Sequence, residues 1–237
     1  RHTQQLLGGP LLSRCRATPA DTHATLAREV LQRLFPSLSE QRLSRFIDEI
    51  PTAQLSTTLN ELTLEKHTLH SQLLDWKQSP THHPKGSAQE RLELARRKRL
   101  ASLLEQCWGD RFAEYTDDWG RTQRGARLDL NAMPLPESLP TLSVNFEHVT
   151  FLNLSQSSVG QTHCSLLKHF PALRSLELSY NNLTGLPVEV GAMRLLRNLN
   201  LSNNRIVLFP EDVKRLRNLR RAQVLVLSHN PLGLSPD

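Results

Sequence analysis

Leu173-Arg174-Ser175-Leu176-Glu177-Leu178-Ser179-Tyr180-Asn181-Asn182-Leu183 and Leu196-Arg197-Asn198-Leu199-Asn200-Leu201-Ser202-Asn203-Asn204-Arg205-Ile206 are two copies of one pattern. Each has an aliphatic residue at its first, fourth, sixth and eleventh positions and an asparagine at its ninth. That spacing is the leucine-rich repeat, a short strand followed by a turn. A weaker copy precedes them at Val149, Leu152, Leu154, Ser157 and Val159, and another follows at Leu225, Leu227, Asn230 and Leu232. Leu128 and Leu130 mark a partial first strand. Equivalent leucines fall at 128, 152, 176, 199 and 225, so the periods are 24, 24, 23 and 26 residues, in or near the roughly 20 to 29 of this class. A small insertion around Arg220 to Gln223 accounts for the long last period.

The repeat divides its side chains by role. Leucines flanking each strand turn into a shared core, and the asparagine turns inward so that its amide meets backbone groups where the chain leaves the strand. Because side chains alternate along a strand, the intervening residues face the other way and align across repeats into columns on a concave face. One column is Asp129, Asn153, Glu177, Asn200 and Val226. Beside it run Ser155, Ser179, Ser202 and Ser228, then Gln156, Tyr180, Asn203 and His229, with Phe151, Ser175 and Asn198 on the other side. With Arg174 and Arg197 at the strand starts, this makes a polar, lightly charged surface suited to recognising another protein by shape and hydrogen bonding. Leu186-Pro187 and Phe209-Pro210 shape the return along the convex side.

Upstream the period is helical. Leu26, Ala27, Val30, Leu31, Leu34 and Phe35 stop at Pro36, and Leu43, Phe46, Ile47 and Ile50 stop at Pro51, which reads as two short amphipathic helices. From Thr52 to about Gln78, Leu55, Leu59, Leu62, Leu69, Leu73 and Trp76 follow steps of four and three, interrupted by Lys66, as expected of one long helix. After residues 79–86, Ser87 and Glu90 form a capping box ahead of Leu92, Leu100, Leu103, Leu104, Cys107 and Trp108, so we expect a helical hairpin. Gly109, Asp117, Asp118 and Gly120 then break the period. The expected organisation is a tail over 1–20 with Gly8-Gly9-Pro10 and Pro19, an all-α domain over 21–120, and an α/β leucine-rich-repeat solenoid over 121–237 of about four right-handed units.

Composition agrees. The 237 residues are 38% hydrophobic with only 5% aromatic side chains, so the core is aliphatic and suits helices and repeats better than a sandwich. Cys15, Cys107 and Cys164 are odd in number and irregularly spaced, which fits reduced thiols and neither disulfides nor zinc ligands. A net charge of +6 from 29 basic and 23 acidic residues is weaker than the concentrated charge of a nucleic-acid binder. No apolar run reaches the ~18 residues of a membrane span. An opening at Arg1 with no signal pattern, and a close soon after a repeat strand, lead us to expect an excised piece of a longer chain.

Other features read as scaffold. Cys107 lies on its helix's apolar stripe and is expected in the core. His67, His70, His82 and His83 lack the cysteine or carboxylate partners of a metal site. Arg91, Arg96, Arg97, Lys98 and Arg99 lie near Glu90 and Glu93 and read as a charged outer helix face. Lys214, Arg215, Arg217, Arg220 and Arg221 gather near the end of the array and could meet an acidic partner.

Leu34-Phe35-Pro36, Cys107-Trp108, Leu128-Asp129-Leu130 and His148-Val149-Thr150-Phe151-Leu152 give the chain a layout from about Leu26 onward that resembles the leucine-rich-repeat members of the NEL ("novel E3 ligase") ubiquitin ligases. Gram-negative bacteria deliver these into host cells, and the likeness is greatest to their large toxin-like relatives. In that family a cysteine in a Cys-x-Asp context, in a helical domain after the repeats, carries ubiquitin as a thioester. Here Cys15 precedes Arg-Ala, Cys107 precedes Trp-Gly-Asp and Cys164 precedes Ser-Leu, so no residue inherits that role. The resemblance implies a substrate-recognition region acting in host cytoplasm on a host protein, with ubiquitin and its conjugating enzyme met through a catalytic domain beyond Asp237. It implies no cofactor, metal or catalytic residue in this chain. A non-enzymatic repeat adaptor or receptor fragment, and thirdly a nucleic-acid-binding module, are the competing readings.

Overall fold

The computed structural model describes residues 20–116 and 122–233. Cys15, the expected tail up to Pro19, and Asp117, Asp118 and Gly120 lie outside the described residues. The chain divides into two compact units, residues 1–71 and 72–237. The boundary falls inside the long helix, well before the change of sequence pattern near residue 120.

The first unit is helical where described. Helix α1 spans Ala20–Leu34 and α2 spans Glu40–Glu49. Of the two expected stripes, Ala27, Leu31, Leu34, Phe35, Leu43 and Ile47 are buried, while Leu26, Val30, Phe46 and Ile50 are half-buried. Helix α3 runs unbroken over Thr52–Gln78. Lys66, which interrupted its leucine stripe, reaches the end of α1, and its Nζ donates to the Leu34 carbonyl at 2.7 Å. An ammonium there satisfies a carbonyl left open at the helix end and opposes the negative end of its dipole.

In the second unit, α4 spans Ala88–Gly109. Ser87 Oγ accepts the Glu90 N–H at 3.1 Å, as the sequence predicts, whereas the Glu90 carboxylate takes the N–H of Gly86 and not that of Ser87. The buried stripe differs from expectation. Leu92 is exposed, and the inward positions of that turn are Glu93 and Arg97, each 2% exposed, followed by Leu100, Ala101, Leu104, Cys107 and Trp108. Arg97 therefore leaves the expected outer face. Its Nε donates to Glu93 at 3.1 Å, and its two terminal nitrogens donate to the Ser79 carbonyl at 2.8 Å and to Ser138 Oγ at 2.8 Å. Glu93 also accepts the Glu137 N–H. A buried charge pair is tolerated only when its remaining hydrogen-bonding capacity is met, and here the pair fastens α4 to the end of α3 and to the loop after the first repeat strand.

Strands β1 (Glu114–Thr116) and β2 (Thr122–Arg124) form an antiparallel pair that the sequence reading missed. Then come β3 (Ala126–Asp129), β4 (Val149–Asn153), β5 (Ser175–Glu177), β6 (Asn198–Asn200) and β7 (Val224–Val226), a parallel sheet in chain order. Its register puts Leu128, Leu152, Leu176, Leu199 and Leu225 side by side, the row obtained from the sequence period. Gly125 has φ +131°, and a Cβ there would sit 2.7 Å from the His148 carbonyl oxygen. Only glycine fits where β3 begins to pair with β4. Between strands the chain returns through the 3-10 helices η1 (Gln161–His169) and η2 (Val188–Ala192) and through α5 (Pro210–Arg217). The Leu186-Pro187 and Phe209-Pro210 pairs immediately precede η2 and open α5, as proline's fixed φ and missing N–H favour at a helix start.

Candidate protein-binding face

Each repeat leaves its strand through the same turn. Ala132, Gln156, Tyr180, Asn203 and His229 all have φ between +53° and +57°, and each stands four residues after its strand leucine. The N–H groups of Ala132, Gln156, Tyr180 and Asn203 donate to the carbonyls of Ser155, Ser179, Ser202 and Ser228 in the next repeat at 2.9–3.0 Å. The left-handed turn is thus part of the hydrogen-bonded ladder. Asparagine and histidine adopt this conformation most readily among side-chain-bearing residues, and a bulky tyrosine does so only at a strain cost.

The asparagines lie inside the turn as expected. Asn204 Nδ2 donates to the carbonyls of Leu178, Leu201 and Ser202 at 2.9, 3.0 and 3.2 Å, and its Oδ1 accepts the Leu183 N–H at 3.1 Å. Asn181 bridges in the same way to Leu154 and to the N–H groups of Ser157 and Val159, and Asn230 does so to Leu201 and Ile206. Every one of these amides ties its own repeat to the one before. Ser157 occupies the equivalent position one repeat earlier, where its Oγ donates to the Leu130 carbonyl at 2.6 Å.

The face opposite the leucines carries two rows in register, Arg127, Phe151, Ser175, Asn198 and Val224, and Asp129, Asn153, Glu177, Asn200 and Val226. Phe151, Asn153, Glu177, Asn198, Asn200, Asn203 and Val226 are half-buried, while Asp129, Gln156, Tyr180 and His229 are exposed, Tyr180 by 59%. The Arg127 guanidinium stacks on Phe151 at 4.0 Å. Asp129, Asn153 and Asn200 each accept the N–H two residues on at 3.0 Å, so part of their hydrogen-bonding capacity is spent on their own turns. Burial raises the Glu177 carboxyl above its ordinary value, against a hydrogen bond with Asn200 that lowers it. Asn198 Oδ1 is buried with no donor among the described residues.

Two expectations for this face change. Ser155, Ser179 and Ser202 are buried, with Ser179 Oγ donating to Ser155 Oγ at 3.0 Å, because the chain has already begun to turn where alternation would still point them outward. They belong to the scaffold. Arg174 and Arg197 stand one step before the strands, in the row that begins with buried Ala126 and Thr150, and so border the face at its leading edge.

Cys107 and Cys164 are buried, and burial pushes both thiols up to about 12, helped by Asp110 for Cys107 and by Glu189 for Cys164. Neither supplies a thiolate for nucleophilic chemistry. Among the described residues no three His, Cys, Asp or Glu side chains gather as a metal site, and no helix is long and apolar enough to cross a membrane.

Residues 147–206 match the family model described as leucine rich repeat, a span covering β4 to β6 and their turns. No curated protein matches the chain. The chain therefore contains a leucine-rich-repeat region behind a helical N-terminal part, and this repeat marks it as a protein-binding module.

Proposed function

We propose that the parallel sheet is the inner wall of a right-handed leucine-rich-repeat solenoid, and that the solenoid selects the substrate of a secreted bacterial ubiquitin ligase of the NEL type. On this reading the chain holds a host protein against Asp129, Phe151, Asn153, Gln156, Glu177, Tyr180, Asn198, Asn200, Asn203, Val226 and His229, with Arg174 and Arg197 at the border. Ubiquitin and its conjugating enzyme are handled by a helical domain outside these residues, in the host cytoplasm. The observation that carries the binding half is the aligned outward rows of the sheet, beside which the turn after β5 exposes the ring of Tyr180. Such an aromatic side chain on a polar, half-buried surface is a common centre of protein recognition. The ligase half rests on the resemblance of the motifs from Leu34 to Leu152.

The test is discharge of a ubiquitin-charged conjugating enzyme by this chain and by a longer protein that continues past Asp237. Discharge by the longer protein alone supports the ligase reading. Discharge by neither leaves a non-enzymatic adaptor as the better account.

A further inference from the structure

We propose that the middle of the outward face, on β5 and β6, takes an arginine side chain of the partner protein, with Glu177 as its counter-charge. The inference rests on the protein-binding reading and names the chemistry at the centre of that face. Of the two outward rows, Asp129 and Glu177 are the acidic members and Arg127 the basic one. Asp129 lies on β3, where it accepts the Asn131 N–H, and Arg127 is stacked on Phe151 at 4.0 Å. Glu177 stands on the central strand, with Asn153 and Asn200 beside it in register.

Glu177 presents a half-buried carboxylate. It is hydrogen-bonded to Asn200, whose Oδ1 already accepts the Ser202 N–H at 3.0 Å and the Ser202 hydroxyl at 2.8 Å, so the amide nitrogen is the end that donates to Glu177. Among the described residues no ion pair joins Glu177 to a basic side chain; Arg174 and Arg197 stand at the border, one step before the strands. Burial raises the carboxyl above its ordinary value, so the fold carries this charge at a cost that a cation from outside would offset. One row back on β6, Asn198 Oδ1 is buried with no donor among the described residues, a second acceptor left unmet.

Arginine fits this arrangement better than lysine. Side chains diagonal to one another on neighbouring strands are about 7–8 Å apart, so a guanidinium bound to Glu177 lies within reach of Asn198. Asn198 as a whole is half-buried, and a rotation of its amide presents Oδ1 to a further N–H of the same group. The planar guanidinium supplies paired donors to a carboxylate, keeps donors for a second acceptor and is weakly hydrated, which suits a half-buried site. It also stacks on aromatic rings. Arg127 on Phe151 is one such pair on this face, and Tyr180, three residues after Glu177, exposes another ring. A lysine ammonium is a strongly hydrated point charge that loses more water on entering.

The experiment titrates the isotope-labelled whole chain with N-acetylarginine methylamide, its lysine counterpart and its uncharged citrulline counterpart at fixed ionic strength. Magnetic resonance follows the backbone amides of Glu177 and Asn198 and the side-chain amides of Asn198 and Asn200. The expected result is saturable shifts at these groups with the arginine compound, about tenfold weaker binding of the lysine compound and none of the citrulline compound. Glu177→Gln, which can keep a hydrogen bond to Asn200, should abolish the shifts, and Asn198→Ala should weaken binding about threefold. Glu147→Gln, an exposed position outside the two rows, should change nothing. The amide spectrum reports whether each variant is folded, and Glu177→Ala serves if Glu177→Gln is not. No shifts at these groups with arginine, equal binding of citrulline or of lysine, or shifts that persist in Glu177→Gln overturn the proposal. Each of those results leaves the protein-binding reading standing, because a partner can be crosslinked from Tyr180 whatever side chain it sets against Glu177.

Discussion

Replacing Asn204 by alanine removes a side chain that meets four backbone groups at once. On the acceptor side the loss is cushioned. The Leu178 carbonyl keeps Asn181 Nδ2 at 3.0 Å, the Leu201 carbonyl keeps Asn230 Nδ2 at 2.9 Å, and the Ser202 carbonyl keeps the Tyr180 N–H at 3.0 Å. The Leu183 N–H has no such reserve, because Asn204 Oδ1 is its partner and Leu183 is fully buried. An orphaned buried donor costs about 1–3 kcal/mol, and each weakened carbonyl adds about half a kcal/mol. The expected loss is about 3 kcal/mol, large against the ~5–15 kcal/mol of an ordinary domain. With a urea slope of about 2 kcal/mol/M, the midpoint should fall by about 1.5 M, and amide exchange at Leu183 should accelerate with it. Asn204→Asp keeps the shape and the acceptor but turns a carboxylate toward three carbonyls, so it should be no better than alanine. Asn204→Ser should fall between, since Ser157 holds the equivalent position with a single short bond to the preceding repeat. A change within about 0.5 kcal/mol for Asn204→Ala, the range of a surface substitution, would refute the view that this amide binds one repeat to the next.

Three further outcomes follow from the same geometry. Gly125→Ala forces a Cβ to within 2.7 Å of the His148 carbonyl oxygen at φ +131°; we expect a loss of at least about 2–3 kcal/mol, read by thermal melting together with loss of protection in β3. Tyr180→Gly relieves the left-handed strain at φ +56° and should raise stability by about 1 kcal/mol while weakening partner binding, so a destabilised variant would mean that the ring has a packing role. Cys107 and Cys164 should resist a thiol reagent at pH 8 in the folded protein and react once it is unfolded. Because burial raises both folded thiols to about 12, their contribution to stability is complete below the unfolded value near 9 and is lost as pH rises from there toward 12, which a pH series of melting temperatures in a Cys15→Ser background checks.

How far the fold was legible depends on where the repeating signal was strong. The leucine row from 128 to 225 and the inward asparagines could be read because one chemical role recurs at one spacing, and the register of the sheet reproduces that row. Long-range pairings without such a period were not legible. Arg97 sat in a run of basic residues and looked solvated, yet Ser79, Ser138 and Glu93, far apart in sequence, make a buried niche for it. Lys66 looked like a fault in a leucine stripe until the end of α1 supplied its partner. On the binding face, simple alternation misplaced the serines because the left-handed turn begins at the next residue. Asn203 and His229 were the signal for that turn, obscured by Tyr180 and Gln156 at the same step.

The central claim is that a protein partner sits on the outward rows of the sheet, and site-specific photo-crosslinking tests it most directly. A photoreactive residue is placed in turn at Tyr180 and His229 on the face, and at Val188 and Ala192 on the return side. After irradiation in cell extract, adducts are identified by mass. The account predicts one recurring protein crosslinked from Tyr180 and His229 and not from Val188 or Ala192. Adducts that recur from Val188 and Ala192 and are missing from the face positions would contradict it.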